Sequence, residues 1–236
     1  ARNEVDTSAV FSEILTPLSA NVDLSVAGRY ENHSTFGKAV TGRAALAWRI
    51  AEDTVIRASF GNGVRAPSIY ELFDVWSGNQ NLEEESSTSF DLGVEHSYAS
   101  GSKIKAVVFY NEIDNLIDYD FSTFTYNQIP GQSITKGLEL SGEVLLSNGV
   151  SLTGAYTYTD SADASGAQLR RVPTHDILLG VNADISSQLS IGLSAQHVAG
   201  RADDGSPLRA MPDYTVANAT LNYSLSDSSE LYIRVE

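Results

Sequence analysis

Apolar and polar residues alternate along most of this chain, which restricts it to folds built from two-faced β-strands. Between Val150 and Tyr158, for example, Leu152 and Tyr156 share one face and Thr153 lies on the other. The same alternation recurs in 22–30, 56–60, 138–144, 189–196 and 217–225. About twelve segments show the pattern, and many are around ten residues long, the length that a tilted strand needs to cross a bilayer.

The links between these segments alternate in length. Short links lie near 16–21, 51–53, 98–102, 147–149, 186–188 and 226–229, and long ones near 32–39, 62–85, 115–135, 160–172 and 200–213. An outer-membrane β-barrel has this arrangement, with short periplasmic turns and long extracellular loops. A soluble β-sandwich has no need to gather its long loops at one end, although both folds tolerate the mixture of charged and small polar residues on the polar face.

Tyrosine and tryptophan fall near both ends of the apolar faces when the short turns are placed inside. The outer group comprises Tyr30, Tyr110, Tyr156 and Tyr158, and the inner group comprises Trp48, Tyr98 and Tyr223. Two aromatic belts around an aliphatic band are typical of proteins that meet both interfaces of a bilayer. The sequence therefore favours a transmembrane β-barrel and leaves a soluble β-sandwich or β-helix as the alternative.

Charge and composition exclude several classes of function. The 236 residues carry 30 acidic and 15 basic side chains, a formal net charge of -15. Such a balance argues against a nucleic-acid partner, because phosphate binding needs clustered Lys and Arg. Cysteine is absent, which excludes disulfides, thiolate-bound metals and thiol catalysis. No apolar run approaches the roughly 18 residues of a membrane helix.

Motifs for catalysis or for a cofactor are weak. Gly61-x-Gly63 imitates a dinucleotide-binding loop, but Pro67 follows and no crossover helix is predicted to hold phosphates. The four histidines form no metalloprotease motif, although a Ser–His–Asp triad assembled across strands would suit a membrane-embedded hydrolase. Acidic loop clusters such as Glu83–Glu85 and Asp203-Asp204 suit solvated charge better than a calcium site. We expect no resident cofactor or metal.

Five strings follow one another along the chain in the order found in a known family. They are Arg65–Phe73 (RAPSIYELF), Phe109–Ile117 (FYNEIDNLI), Lys136–Leu140 (KGLEL), Arg170–His175 (RRVPTH) and Leu231–Glu236 (LYIRVE). Together they resemble the barrel of TonB-dependent outer-membrane receptors, and the resemblance covers nearly the whole chain. One departure is Glu84, which stands where that family usually has a proline.

The resemblance implies the C-terminal part of a barrel that has about 22 strands when complete. Residues 1–236 are then expected to form a single all-β segment, an antiparallel transmembrane β-barrel of about twelve strands without the plug domain, the TonB box or the last strand. The implied function is energised import, across the bacterial outer membrane, of a scarce bulky ligand such as a ferric siderophore or cobalamin. The expected partners are outer-membrane lipid, lipopolysaccharide, the plug domain, TonB and a small metal chelate.

We expect ligand to meet the long outer loops, whose aromatic side chains can stack on it. The aromatic candidates are Tyr70, Phe73, Trp76, Phe121, Phe124 and Tyr126, and the cationic candidates are Arg170 and Arg171. The arginines suit an anionic ligand or lipopolysaccharide phosphate, and suit ordinary rim charges equally well. The aromatic residues equally suit tethering of the loops. Two other functions stay open: an outer-membrane barrel enzyme with a site at its rim, and a soluble β-rich binding module.

The two edge strands of the predicted sheet would have unpaired backbone groups, which is unfavourable in lipid. The first strand, near Thr7–Leu15, and the last, Glu230–Glu236, would each leave a row of backbone groups without partners, which is expensive inside lipid. We therefore expect these edges to pair with each other or with another molecule. Closure would give Tyr232 and Arg234 partners within Val10–Ile14.

Overall fold

The computed structural model describes residues 4–146, 149–203, 209–226 and 228–236. The long strands are β1 (Thr7–Ser19), β2 (Val22–His33), β3 (Gly37–Ala51), β4 (Thr54–Arg65), β5 (Glu85–Ser97), β6 (Lys103–Asp114), β9 (Gln132–Leu145), β10 (Val150–Ala162), β11 (His175–Asp184), β12 (Leu189–Ala199), β15 (Tyr214–Ser226) and β16 (Ser229–Val235). The short strands β7 (Ile117–Asp120) and β8 (Thr125–Gln128) form one hairpin, and β13 (Ala202–Asp203) and β14 (Arg209–Ala210) form another.

The twelve long strands form one antiparallel sheet, as the alternation predicted. Their order is β1-β2-β3-β4-β5-β6-β9-β10-β11-β12-β15-β16, so each long strand pairs with the long strands that precede and follow it along the chain. The two hairpins lie in the connections that the sequence identified as long, β6 to β9 and β12 to β15. The long connections therefore emerge at one end of the sheet and the short turns at the other.

Cross-strand register gathers apolar side chains on one face of the sheet. Leu152 of β10 lies opposite Val144 of β9 and Val181 of β11, and Leu193 of β12 lies opposite Ala219 of β15. Leu152 is 42% exposed and Leu193 is 51% exposed, so no second layer covers this face within the described residues. The soluble sandwich, in which these side chains would meet in a two-sheet core, is excluded.

The opposite face carries most of the charged strand residues. The Arg49 guanidinium of β3 pairs with Asp23 of β2, and Ser59 Oγ of β4 donates a hydrogen bond to Asp91 Oδ2 of β5 at 2.7 Å. These contacts join neighbouring strands through side chains as well as backbone. A face of this kind suits a lumen filled with water or protein and not a lipid boundary.

Aromatic side chains lie near both ends of the apolar face. Tyr30 of β2 is opposite Val40 toward the long loops, and Trp48 of β3 is opposite Ile56 beside the short turns. Both rings are about half exposed. The structure therefore places them where the sequence predicted two belts.

One short helix, α1 (Ile69–Phe73), lies in the connection between β4 and β5. The strand pattern did not predict it, because five residues are too few for a helical period to show in the sequence. Among the described residues, no helix is long and apolar enough to span a membrane. The all-β class is otherwise confirmed.

Of the two outcomes expected for the edges of the sheet, closure is wrong. Tyr232 and Arg234 of β16 lie opposite Asn222 and Thr220 of β15, and the described chain gives β16 no partner on its other side. The first strand likewise pairs only with β2. Alternation specifies which face is apolar but not how sharply a sheet curves, and twelve strands with the curvature of a wider barrel leave their edges apart. Pairing with another molecule stays a prediction, because free edges remain costly in lipid.

A charge placed on the apolar face should cost far more stability than the same charge one residue away. We expect Leu193→Arg to lower the free energy of unfolding by roughly 2–4 kcal/mol, because the side chain lies near mid-strand on the face expected to contact lipid. Ser194→Arg is the matched control, since Ser194 lies on the polar face beside Asn218. Denaturant titrations from lipid vesicles measure both values. Equal losses would contradict the assignment of the two faces.

Candidate functional site

Arg65 and Glu85 form an ion pair where β4 and β5 emerge into their connecting loop. The two residues are opposite in the strand register. Arg65 donates from Nε to Glu85 Oε2 and from Nη2 to Glu85 Oε1, each at 2.6 Å. Glu85 Oε1 also accepts the backbone N–H of Ile117 at 2.8 Å. Because this carboxylate is only 9% exposed, the two-pronged pair anchors the β4–β5 and β6–β9 connections together.

Helix α1 is held at its start by a capping box. Glu71 N–H donates to Ser68 Oγ at 3.2 Å, and Ser68 N–H donates to Glu71 Oε2 at 2.7 Å. Burial raises the pKa of Glu71, but hydrogen bonds from the Ser68 backbone and the Arg65 guanidinium outweigh it, so the pKa lies below its ordinary value. The ionised carboxylate therefore ties the helix start to the end of β4.

A small apolar core sits under these loops. Leu72 of α1, Leu82 and Ile117 of β7 are buried, and Phe36 and Tyr126 pack against them. These five side chains come from three different connections of the sheet. Burial of each large aliphatic side chain is worth about 1.5–3 kcal/mol, which favours one shared arrangement of the loops over independent movement.

Hydrogen bonds join the β7–β8 hairpin to the loop that follows α1. Asn79 Nδ2 donates to the Tyr126 carbonyl, and Tyr126 N–H donates to the Ser77 carbonyl, each at 2.9 Å. Gln128 Nε2 donates to the Glu83 carbonyl at 3.1 Å, and Glu83 N–H returns a bond to Gln128 Oε1 at 3.2 Å. These bonds dock the β7–β8 hairpin onto the β4–β5 loop.

Four aromatic rings form a continuous row across these two connections. The ring centroids of Tyr70 and Tyr126 are 6.0 Å apart, those of Tyr126 and Tyr119 are 5.3 Å apart, and those of Tyr119 and Phe121 are 5.0 Å apart. All three contacts are edge-to-face, the favourable geometry for aromatic pairs. We call Tyr70, Tyr126, Tyr119 and Phe121 the aromatic row.

Both candidate arginines already hold carboxylates. Arg170 Nε donates to Asp118 Oδ2 at 2.8 Å, and the Arg170 guanidinium lies 5.1 Å from the Phe121 ring centroid. Arg171 donates to the two carboxylate oxygens of Asp203 at 3.1 and 3.2 Å. Neither side chain stands as an isolated cation at the rim.

The turn after α1 presents two apolar side chains to solvent. Val75 is 85% exposed and Trp76 is 87% exposed. Asp74 Oδ2 holds this turn by accepting the backbone N–H groups of Trp76 and Ser77 at 3.1 and 3.0 Å. The Ser77 hydroxyl lowers the pKa of Asp74, so the turn keeps its ionised cap at neutral pH. Phe73, at the end of the helix, is 37% exposed.

Phe124 presents another exposed ring at the tip of the β7–β8 hairpin. Its side chain is 64% exposed, and its backbone adopts a φ of 57°, which favours glycine. A bulky residue in this conformation stores local strain. The turn therefore holds an exposed aromatic ring at the cost of some local backbone strain.

The structure connects half of the predicted site residues and separates the others. Tyr70, Phe121 and Tyr126 lie in the aromatic row, and Arg170 caps it. The residues outside these ring contacts are Phe73, Trp76, Phe124 and Arg171. Sequence reasoning missed Tyr119, whose only signal was one more aromatic residue in the same long loop. Contact of any of these residues with ligand stays a prediction.

Two of the other features considered from sequence, the dinucleotide-type loop and a metal site, have no matching arrangement in the described residues. Gly61 and Gly63 lie within β4 and not in a loop before a helix. Within the described ranges, no group of three or more His, Asp or Glu side chains is placed to hold a metal ion. Of the acidic pair at 203–204, Asp204 lies outside the described residues.

A family model and a sequence relative match this chain. The family model for the TonB dependent receptor-like β-barrel covers residues 1–236. The chain is 26% identical over 214 residues to the vitamin B12 transporter BtuB of Vibrio cholerae serotype O1, and the match covers 88% of this chain and 34% of that protein. The chain thus spans about a third of the relative's length.

Solved structures share the fold. A mutant of the ferric enterobactin receptor PfeA from Pseudomonas aeruginosa, in complex with enterobactin, matches with a TM-score of 0.83 at 19% identity, over 97% of this chain and 39% of that one. The siderophore receptor PirA from Acinetobacter baumannii matches with a TM-score of 0.78 at 16% identity, over 94% of this chain and 40% of that one.

The two-faced sheet and these matches define a wall segment of an outer-membrane barrel. The chain belongs to the TonB-dependent receptor-like β-barrel family. Its location is the bacterial outer membrane.

Removal of the charge on Glu85 should loosen the loops without unfolding the sheet. We expect Glu85→Gln to lower the free energy of local opening at the Ile117 amide by about 1–3 kcal/mol, because the sheltered ion pair with Arg65 is lost. Amide hydrogen exchange measures this value directly. Glu83→Gln is the matched control, since the Glu83 side chain is exposed. Unchanged exchange at Ile117 in Glu85→Gln would show that the pair does not anchor the loop.

We expect the turn between β7 and β8 to lose the stabilising effect of the Asp120 carboxylate only at very low pH. The Ser122 hydroxyl, then the Ser122 backbone N–H and the Thr123 hydroxyl, lower the pKa of Asp120 to about 2. Because the folded value lies below the unfolded value of about 3.9, the carboxylate stabilises the turn above about pH 4 and this contribution is lost as the pH falls through about 2. A carboxyl titration by NMR tests this expectation, with Asp120→Asn as the control that lacks the transition. A midpoint near 4 would refute it.

Proposed function

We propose that this chain forms part of the wall and mouth of a TonB-dependent transporter that imports a scarce, bulky ligand such as a ferric siderophore or cobalamin. In this proposal residues 1–236 are one barrel segment, and the expected partners are a plug domain, TonB, outer-membrane lipid and lipopolysaccharide. The observation that carries it is the single-layer sheet with one apolar and one charged face, together with the family match over the whole chain. A relative named for vitamin B12 transport and neighbours named for siderophores support the ligand class.

The charged face supports a protein partner inside the barrel. A recess of about 480 Å³ on this face is lined by side chains of both signs, among them Arg43, Arg57, Asp91, Glu95 and Glu139. Mixed charge of this kind favours a complementary protein surface over lipid, and it fixes the orientation of that surface. In the proposal, the plug domain occupies this side and the apolar face meets the bilayer.

The outer loops support a ligand with an apolar or aromatic surface. Trp76 and Phe124 are exposed rings held by organised turns, and such rings supply large contact area at little conformational cost. Arg170 and Arg171 are engaged with Asp118 and Asp203, so stacking and apolar contact come before charge in this part of the mouth. Arg171, which is 67% exposed, is the better placed of the two for an anionic group of ligand or lipopolysaccharide.

Uptake by living cells tests the proposal. We would express the receptor that contains this chain in bacteria lacking their own cobalamin and siderophore receptors, and measure accumulation of radiolabelled cyanocobalamin and of a panel of ferric siderophores. At least one should accumulate, and deletion of TonB should abolish the uptake. If no compound accumulates in a TonB-dependent manner, the proposed function is wrong.

Loop variants then test the ligand-binding residues. Trp76→Ala and Phe124→Gly should each weaken binding by about tenfold or more, the usual effect of losing a central aromatic contact. Glycine is chosen at position 124 because it suits the positive φ. Tyr98→Ala is the control, because Tyr98 is also a partly exposed ring but lies at the short-turn end of the sheet. Losses of the same size in all three variants would contradict a site in the loops.

A further inference from the structure

Arg170 is fixed on two sides and does not project freely from the loop between β10 and β11. Its Nε donates to Asp118 Oδ2 at 2.8 Å, and its Nη2 donates to the Tyr119 carbonyl at 2.5 Å. Its guanidinium lies 5.1 Å from the Phe121 ring centroid. The side chain is only 21% exposed. All of these contacts are made to β7 or to the residue that follows it.

The loop that carries Arg170 has its own anchors. Gln168 Nε2 donates to the Gly200 carbonyl at 2.7 Å and to the Val172 carbonyl at 3.0 Å. Arg171 has a φ of 62°, and its N–H donates to the Ala202 carbonyl at 2.8 Å. This left-handed turn separates the two arginines, with Arg171 on Asp203 of β13 and Arg170 on the β7–β8 hairpin. Arg170 therefore links the β10–β11 loop to the β7–β8 hairpin, and each of these two segments has anchoring contacts of its own.

The aromatic row extends this link to the first loop. Phe121 contacts Tyr119, Tyr119 contacts Tyr126, and Tyr126 contacts Tyr70 of α1. The Tyr126 backbone bonds to Ser77, next to the exposed Trp76. Three connections of the sheet, β4–β5, β6–β9 and β10–β11, are thus joined through side chains that lie far apart in sequence.

We propose that Arg170 is a positioning residue, which with Asp118 clamps the β10–β11 loop to the β7–β8 hairpin and so holds the aromatic row and Trp76 in one arrangement for ligand. The role of the clamp in ligand binding rests on the proposed function, whereas the clamp itself does not. In this assignment Arg170 acts through Asp118 and Phe121 and is not the cation that meets an anionic ligand.

The clamp is tested by amide hydrogen exchange on the whole receptor without ligand. Arg170→Gln and Asp118→Asn should each raise exchange in peptides covering 117–128 and 76–82 by about tenfold, the effect of losing one charged contact of this kind. The double variant should add little to either single one, because both remove the same contact. The exchanged pair, Arg170→Asp with Asp118→Arg, should restore protection.

Arg171→Gln is the matched control for exchange, because its partner Asp203 lies outside the hairpin. It should leave peptide 117–128 unchanged. Unchanged exchange of 117–128 in Arg170→Gln, or equal effects of Arg170→Gln and Arg171→Gln there, would overturn the clamp.

Binding separates a positioning role from direct contact with ligand. With cyanocobalamin and ferric enterobactin as probes, the clamp predicts equal losses for Arg170→Gln and Asp118→Asn and recovery in the exchanged pair. A loss confined to Arg170→Gln, with Asp118→Asn binding normally or better, would overturn the assignment and make Arg170 a ligand contact. Failure of both probes to bind counts against the ligands named in the proposed function, while hydrogen exchange still decides the clamp.

Discussion

A strand that crosses a bilayer must pair its backbone N–H and C=O groups with neighbouring strands, because lipid offers no other partner. In the described residues, the twelve-strand ladder pairs each long strand with its neighbours and leaves one side of β1 and one side of β16 without a partner. Since side chains alternate along each paired strand, a single register sorts all of them into an apolar and a charged face. Leu193 and Ser194, adjacent in sequence, therefore lie in opposite surroundings. The division of side chains into an apolar and a charged face therefore follows from the register of the hydrogen-bond ladder.

The same ladder determines where the outer loops begin. Arg65 and Glu85 are the last matched pair of β4 and β5, so their ion pair is a consequence of register and not of the loop between them. Glu85 also accepts the Ile117 N–H at the start of the next hairpin. A loop anchored at its first residues loses much of the conformational freedom that it would otherwise surrender on binding. The strand register in this way pre-organises the outer loops.

Alternation and link length predicted the strand number, the direction of pairing and the two faces, because a period of two is written in each strand locally. Closure of the sheet was not predictable in this way, since curvature depends on the whole barrel. Helix α1 was missed because its capping box, Ser68 with Glu71, is a short signal inside a loop. The Arg170–Asp118 pair joins residues 52 positions apart, which no local pattern specifies. The aromatic residues of the long loops nevertheless predicted Tyr70, Phe121 and Tyr126 of the aromatic row.

The ion pairs of Arg170 and Arg171 affect which ligands the outer loops are expected to bind. From sequence alone, Arg170 and Arg171 suited an anionic ligand and ordinary rim charges equally well, but in the structure each already holds a carboxylate. A ligand anion would have to displace that carboxylate, and the displaced Asp would then repel it, so the gain from charge is small. An apolar or aromatic ligand surface displaces only water from Trp76 and Phe124, and that release is favourable. In the proposed transporter, selectivity at these loops would therefore follow from the shape and apolar area of the ligand before its charge.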